Sequence, residues 1–161
     1  MRMSEGVEWA LHSCLNLTWA PPGEAVTAAK LAAFYSLPAA YLNKHLQALA
    51  RAGILASTSG PRGGFRLARP PEKITVMDVV TAIEGPEEAF RCTGILAAGP
   101  GGRTDVDYRA HCVISQTMAE AELAWRGHLA GRTLADLKAT VEQRFPHTPE
   151  NTRNGFANAR A

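Results

Sequence analysis

Residues 54–71, "ILASTSGPRGGFRLARPP", follow directly on a helical pattern and narrow the choice of folds more than any other part of the chain. Two short strand-like runs flank Gly60-Pro61-Arg62-Gly63-Gly64. A turn this rich in Gly and Pro between such runs predicts a β-hairpin. The segment before it, "SLPAAYLNKHLQALARAG", places Leu42, Leu46 and Leu49 on one helical face. Ser36 is read as its cap, Pro38 falls in its first turn and Gly53 stands where a helix ends in a left-handed residue. Upstream, "TAAKLAAFY" predicts a short helix from Thr27. "SEGVEWALHSCLNL" predicts a first helix, capped by Ser4, with Val7, Leu11, Cys14 and Leu15 on its apolar face. Two short helices, a third helix and a hairpin in that order predict a winged helix-turn-helix. The fold class is mainly α with a small β-hairpin wing, extended by a long dimerisation helix.

Charge agrees with a polyanionic partner for the first half of the chain. Residues 1–73 carry eight Lys/Arg against four Asp/Glu, whereas residues 74–132 carry five against eight. The basic half is the one suited to DNA. Tyr41 and Lys44 lie on the early, outward part of the predicted recognition helix, with His45 one step further round. Ser36 and Ser59 are placed to donate to phosphates, and the helix amino terminus adds partial positive charge. Arg62 stands at the tip of the glycine-rich turn, where a backbone can approach phosphates closely and a guanidinium can enter a narrow minor groove. The bland alternative for Arg62, Arg66 and Arg69 is a solvated hairpin face. An enzyme is not expected: there is no Ser/His/Asp order and no phosphate loop leading into a helix. No apolar run reaches the roughly 18 to 20 residues of a membrane span, and "MRMSEGVEWALHSC" does not read as a signal peptide. A cytoplasmic protein is expected.

"YLNKHLQALARAGILASTSGPRGGFRLARPPEKITVMDVVTAIEG", residues 41–85, resembles the core signature of the Rrf-type winged-helix iron-sulfur transcription regulators, the IscR/NsrR-like family. The most specific part is "GPRGGFRLARPPEKITVMDVV", and the likeness extends from the first helix to about Leu137. It implies a homodimer on a near-palindromic double-stranded DNA operator, with a long helix after the cysteine region as the dimer interface. "DYRAHCVISQTMAEAELAWRGHLAG", residues 107–131, fits that helix, with Val113, Met118, Ala121 and Trp125 as an apolar stripe. The expected organisation is a DNA-binding domain over 1–85, a cluster-binding loop over 86–106, dimerisation helices over 107–144 and a disordered polar tail over 145–161.

The chain has three cysteines, Cys14, Cys92 and Cys112, and the last two bound a glycine-rich stretch of 19 residues. An odd count in a reducing compartment leans toward metal or redox chemistry. Cluster-binding members of the family usually carry three cysteines in this region, and two thiolates cannot by themselves hold a four-ligand cluster. The resemblance implies an acidic ligand from the first helix, contributed across the dimer, and Glu8 occupies the matching position. His12 lies four residues further on, so imidazole and carboxylate share one helical face. A histidine three residues after the last cysteine is the family's other substitute; here that residue is Ser115. The expected ligands are therefore Cys92 and Cys112 of one subunit with Glu8 and His12 of the other. A [2Fe-2S] cluster is expected, with [4Fe-4S] as the alternative, in a redox-responsive transcription regulator. Trp9, beside Glu8, is a candidate for redox coupling, or simple packing. Cys14 shares the apolar stripe and reads as core. Two alternatives stay open: Glu8 and His12 as merely the polar border of the helix, and Cys92 with Cys112 as a cluster-free thiol/disulfide switch on a DNA-binding regulator.

Overall fold

A computed structural model describes residues 3–103 and 105–159. Among them, α1 spans Glu5–Leu17, α2 Ala28–Phe34, α3 Ala39–Arg51, β1 Leu55–Thr58, β2 Gly64–Leu67 and α4 Val76–Glu84. After a looser stretch with a 3₁₀ turn at Ile95–Ala98 come α5 Tyr108–His111, α6 Val113–Ala130, α7 Leu134–Arg144 and α8 Thr148–Asn158.

The core forms around α1, whose Ala10, Cys14 and Leu17 are buried with Leu31, Leu42, Leu46, Leu49, Ile54, Phe65, Val79 and Leu134. These side chains come from α1, α2, α3, the hairpin, α4 and α7, so the hydrophobic effect closes the helix-turn-helix, its wing and α7 into one unit. The three leucines predicted on one face of α3 are fully buried. Helix α3 ends as expected: Gly53 has φ +70. The Ile54 amide donates to the Leu49 carbonyl and the Gly53 amide to that of Ala50, both at 3.0 Å, which is the Schellman pattern. The hairpin is antiparallel, running from Leu55 opposite Leu67 to Thr58 opposite Gly64. Val26, just before α2, pairs with Phe65 and ties the wing back to the helices. Gly6 is buried against the His45 ring, which a Cβ at that position would overlap, so the ring from α3 rests directly on the backbone of α1.

Capping boxes start α4 and α7, with Thr75 and Asp78 in one and Thr133 and Asp136 in the other. The two starts are stitched together: Val76 donates to the Arg132 carbonyl at 2.8 Å and Leu134 to that of Ile74 at 2.9 Å.

Four sequence expectations change. Ser36 does not cap α3; Pro38 is the residue before its first turn, and Ser36 takes a left-handed conformation at φ 55. There its amide donates to the Ala33 carbonyl, and the Leu37 amide reaches back to that of Ala32, which closes the turn between α2 and α3. Ser4 does precede α1, but its hydroxyl donates to Glu84 at 2.6 Å instead of capping the helix. The stripe on α6 divides: Trp125 packs onto Val7, Val76 and Val80 of its own chain, while Val113 and Met118 remain exposed. The tail expected to be disordered contains α8, whose Thr152 and Phe156 are buried. Residues 160–161 of that tail lie outside the described residues.

Two predictions come from this packing. Gly6→Ala should lower unfolding stability by about 2 kcal/mol in urea titration, the usual cost of overpacking at a closed contact. Burial pushes the Cys14 thiol up to about 12. A thiol reagent at about pH 8 should therefore label Cys92 and Cys112 in the folded, iron-free protein. Cys14 should react only after unfolding returns its pKa to the ordinary range.

Candidate nucleic-acid interface and sensing surface

The side chains assigned to DNA lie on the exposed side of the helix-turn-helix and wing. Tyr41 is 52 % exposed in the first turn of α3, and Lys44 follows it, also exposed. Ser36 is exposed in the turn before α3, and Ser59 and Arg62 are exposed in the wing turn. That turn is closed by the Gly63 amide donating to the Gly60 carbonyl at 2.8 Å. A Cβ at Gly63 would meet the backbone of Thr58 to Gly60, so glycine is what allows Arg62 to stand at the tip. Arg66 is exposed on β2. Arg69 instead approaches Asp78 at 3.7 Å, which ties it to the capping box of α4.

Behind Tyr41 is a group of three rings that joins α1 to α3. Trp9 meets Tyr41 edge-on at 5.2 Å between centroids and His45 at 5.9 Å, and Tyr41 and His45 are 5.3 Å apart. Such edge-to-face contacts favour one relative setting of the rings beyond the area they bury. Burial, helped by the neighbouring Lys44 charge, holds the His45 imidazole below its ordinary pKa against an opposing pull from Glu84. His45 Nε2 is buried with no hydrogen-bond partner among the described residues. Sequence reading left His45 uncertain. The signal was its spacing of four from Tyr41, which puts both on one face.

Glu8 and His12 emerge on the exposed side of α1 and line a cavity of about 240 Å3 with Trp9, Tyr35 and Leu37. Among the described residues neither makes a hydrogen bond or ion pair; the His12 ring lies 5.5 Å from that of Tyr35. Tyr35 went unnoticed in the sequence. It ends α2, accepts a 2.7 Å hydrogen bond from the Asn16 amide, and has its phenol pKa raised by burial, which that bond partly offsets. The polar face of α1 thus runs from Glu8 through His12 to Asn16 and meets the helix-turn-helix turn at its far end.

The other two expected ligands are placed separately: Cys112 at the start of α6, and Cys92 in the stretch before α5, beside the first turns of α6. Cys112 is the residue that precedes α6, and its amide donates to the Tyr108 carbonyl at 2.7 Å. Cys92 lines a cavity of about 310 Å3 with Phe90, Arg91, Ser115 and Met118, and a second one with Asp107 and Tyr108. Both thiols are half-buried, and neither is in a disulfide. Among the described residues of one chain, no three His, Cys, Asp or Glu side chains come together to hold a metal ion. Glu8 and His12 share one cavity on α1, whereas Cys92 and Cys112 belong to the chain between α4 and α6.

The comparisons with known proteins agree with this architecture. The model of the Rrf2 family, described as iron-dependent transcriptional regulators, matches residues 3–140. YwgB of Bacillus subtilis, described as an HTH-type transcriptional regulator, is 32 % identical over 145 residues, 90 % of this chain and 89 % of that protein. Rv1287 of Mycobacterium tuberculosis, described in the same terms, is 31 % identical over 159 residues, 96 % of each chain. In fold, the chain is similar to IscR of T. potens, with a TM-score of 0.67 and 20 % identity over 90 % of this chain and 91 % of that one. It is likewise similar to CymR, the global cysteine regulator of B. subtilis, with a TM-score of 0.64 and 21 % identity over 87 % of this chain and 98 % of that one. With a helix-turn-helix, a hairpin wing and the family match over most of its length, the chain belongs to the Rrf2 family of winged-helix, DNA-binding transcriptional regulators, which are not enzymes.

Proposed function

We propose that this protein is a redox-responsive transcription regulator that works as a homodimer in the cytoplasm, its binding to a near-palindromic operator governed by an iron-sulfur cluster. The cluster's ligands are Cys92 and Cys112 of one subunit and Glu8 and His12 of the other, in a [2Fe-2S] centre. The observation that carries this reading is the polar pair on α1: Glu8 and His12 are exposed, adjacent and uncommitted to hydrogen bonds or ion pairs among the described residues. Trp9 between them packs on Tyr41 of the recognition helix. When bound, the cluster would supply one-electron exchange at a site with two thiolates and two harder donors.

The chain's own residues supply the rest. Exposed Val113, Ile114, Met118 and Leu123 on α6 give a second copy an apolar surface to cover. Cys92 and Cys112 fix one half of the site to the end of α6, and Glu8 and His12 fix the other half to α1. A change of charge at Glu8 and His12 acts on α1, and the ring contacts of Trp9 and the His12–Tyr35 pair pass any shift to α3 and to the turn before it. A difference of about 1.4 kcal/mol between states would give tenfold regulation of operator binding.

Anaerobically purified protein should be coloured and contain iron. Glu8→Ala and His12→Ala should each lose most of the visible absorption and iron. Unchanged spectra and iron content in both variants would overturn the ligand assignment. Equal operator affinity in oxidised, reduced and cluster-free protein would remove the sensing role. Colourless, iron-free protein that forms a Cys92–Cys112 disulfide on oxidation would instead favour the thiol switch. On the DNA side, Arg62→Ala should weaken operator and non-operator duplexes alike and flatten the plot of log affinity against log salt by about one unit, the mark of a lost phosphate contact. Loss of operator preference with an unchanged salt slope would reassign Arg62 to base reading.

A further inference from the structure

Helix α8 lies beyond residues 3–140, which the family model matches, yet it packs on α2 of the helix-turn-helix. Its inner face consists of Thr152, 1 % exposed, and Phe156, 6 % exposed, one turn apart. The Phe156 ring meets that of Phe34, the last residue of α2, at 5.9 Å between centroids. Gly155 makes the room, since a Cβ there would come within 2.6 Å of Phe34 Cε2. In the first turn of α2, Lys30 Nζ donates to the Phe156 carbonyl at 2.9 Å. That carbonyl belongs to the last turn of α8, where helix geometry leaves oxygens without partners and a cation is favoured. Helix α2 is thus gripped near both ends by α8.

We propose that α8 is a working part of the DNA-binding unit, and that Phe156, Gly155 and Lys30 position α2 for operator binding. Helix α2 has only seven residues, too few to hold its own shape without neighbours. In a helix-turn-helix, one helix crosses the DNA backbone while the next enters the major groove, so their relative setting decides which bases meet side chains. Buried Leu31 and Ala32 fix α2 to the core along one line. The grip at Phe34 and Lys30 fixes its rotation about that line. Undocking α8 therefore loosens the reading geometry and at the same time releases the Lys30 cation. Specific binding falls, whereas non-specific attraction to phosphate does not.

The test uses the full-length chain, an operator duplex selected by the wild-type protein from a random pool, and a shuffled duplex of equal composition. Gly155→Val and Phe156→Ala should each lower the ratio of operator to shuffled affinity about tenfold, within the usual range of site-to-site coupling. Shuffled-duplex affinity should hold or rise, and Phe156→Leu should restore most of the ratio. Trypsin cleavage after exposed Arg153 reports undocking independently of DNA. A role in stability alone would lower the melting temperature while leaving the affinity ratio of the folded protein unchanged. The proposal is overturned by a wild-type ratio in either variant whose Arg153 cleavage has accelerated, or by undisturbed Arg153 cleavage in both. Should Gly155→Val fail to fold, Phe156→Ala decides, since it opens space without forcing a clash.

Discussion

Burial of α1 is the constraint on which this structure depends. A single helix of 13 residues is asked to pack against α3, α4 and α7 at once. Its small and apolar residues, Gly6, Val7, Ala10, Ser13, Cys14 and Leu17, are consumed by those neighbours. What remains exposed is Glu5, Glu8 and His12, with half-buried Trp9, Leu11 and Leu15 beside them. Polarity on the strip of Glu8 and His12 is the ordinary border of an amphipathic helix. What distinguishes it here is location: the strip leads from solvent to the recognition helix through Trp9 and to the preceding turn through Tyr35. Helix α1 also packs on α4, and α4 on α6 through Trp125 and Leu129, so one helix is linked both to the recognition helix and to the helix that begins at Cys112.

Cys14 shows how burial sorts chemistry among identical side chains. Its thiol sits in the centre of the core at 0 % exposure and behaves as a small hydrophobe. Cys92 and Cys112 are half-buried, Cys92 lining two open cavities and Cys112 preceding the first turn of α6. A sulfur's availability to metals or oxidants is set by surroundings of this kind rather than by its count in the chain.

Much of the fold was legible because local rules and tertiary packing agree over residues 27–67. Helix α2 starts at Thr27 as expected, and the Thr27 hydroxyl caps it, accepting from the Lys30 amide. Gly53 ends α3, and the glycines of the wing turn permit the hairpin. Ser36 was misread because serine before a helix is ordinarily a cap, whereas Pro38 and the tight link to α2 leave it a left-handed turn position. Helix α8 was missed because its sequence, "TPENTRNGFAN", is polar and offers only Thr152 and Phe156 at helical spacing. Its order comes from Phe34 and Lys30, residues more than a hundred positions away. The candidate site was legible in halves. The spacing of Glu8 and His12 is local and visible, as are the two cysteines and the spacing of His45 from Tyr41, but Tyr35 and Asn16 enter only through packing that no local pattern records.

The contact between Gly6 and His45 bears on how a signal could travel. Where two helices meet through long side chains, rotamer changes absorb small displacements, and motion at one helix is dissipated before it reaches the other. Here one helix offers bare backbone and the other a rigid ring that fills the space above it. Such a joint has little slack, so a small tilt of α1 is handed to α3 as a tilt, and the two helices move as one lever rather than as two loosely coupled rods.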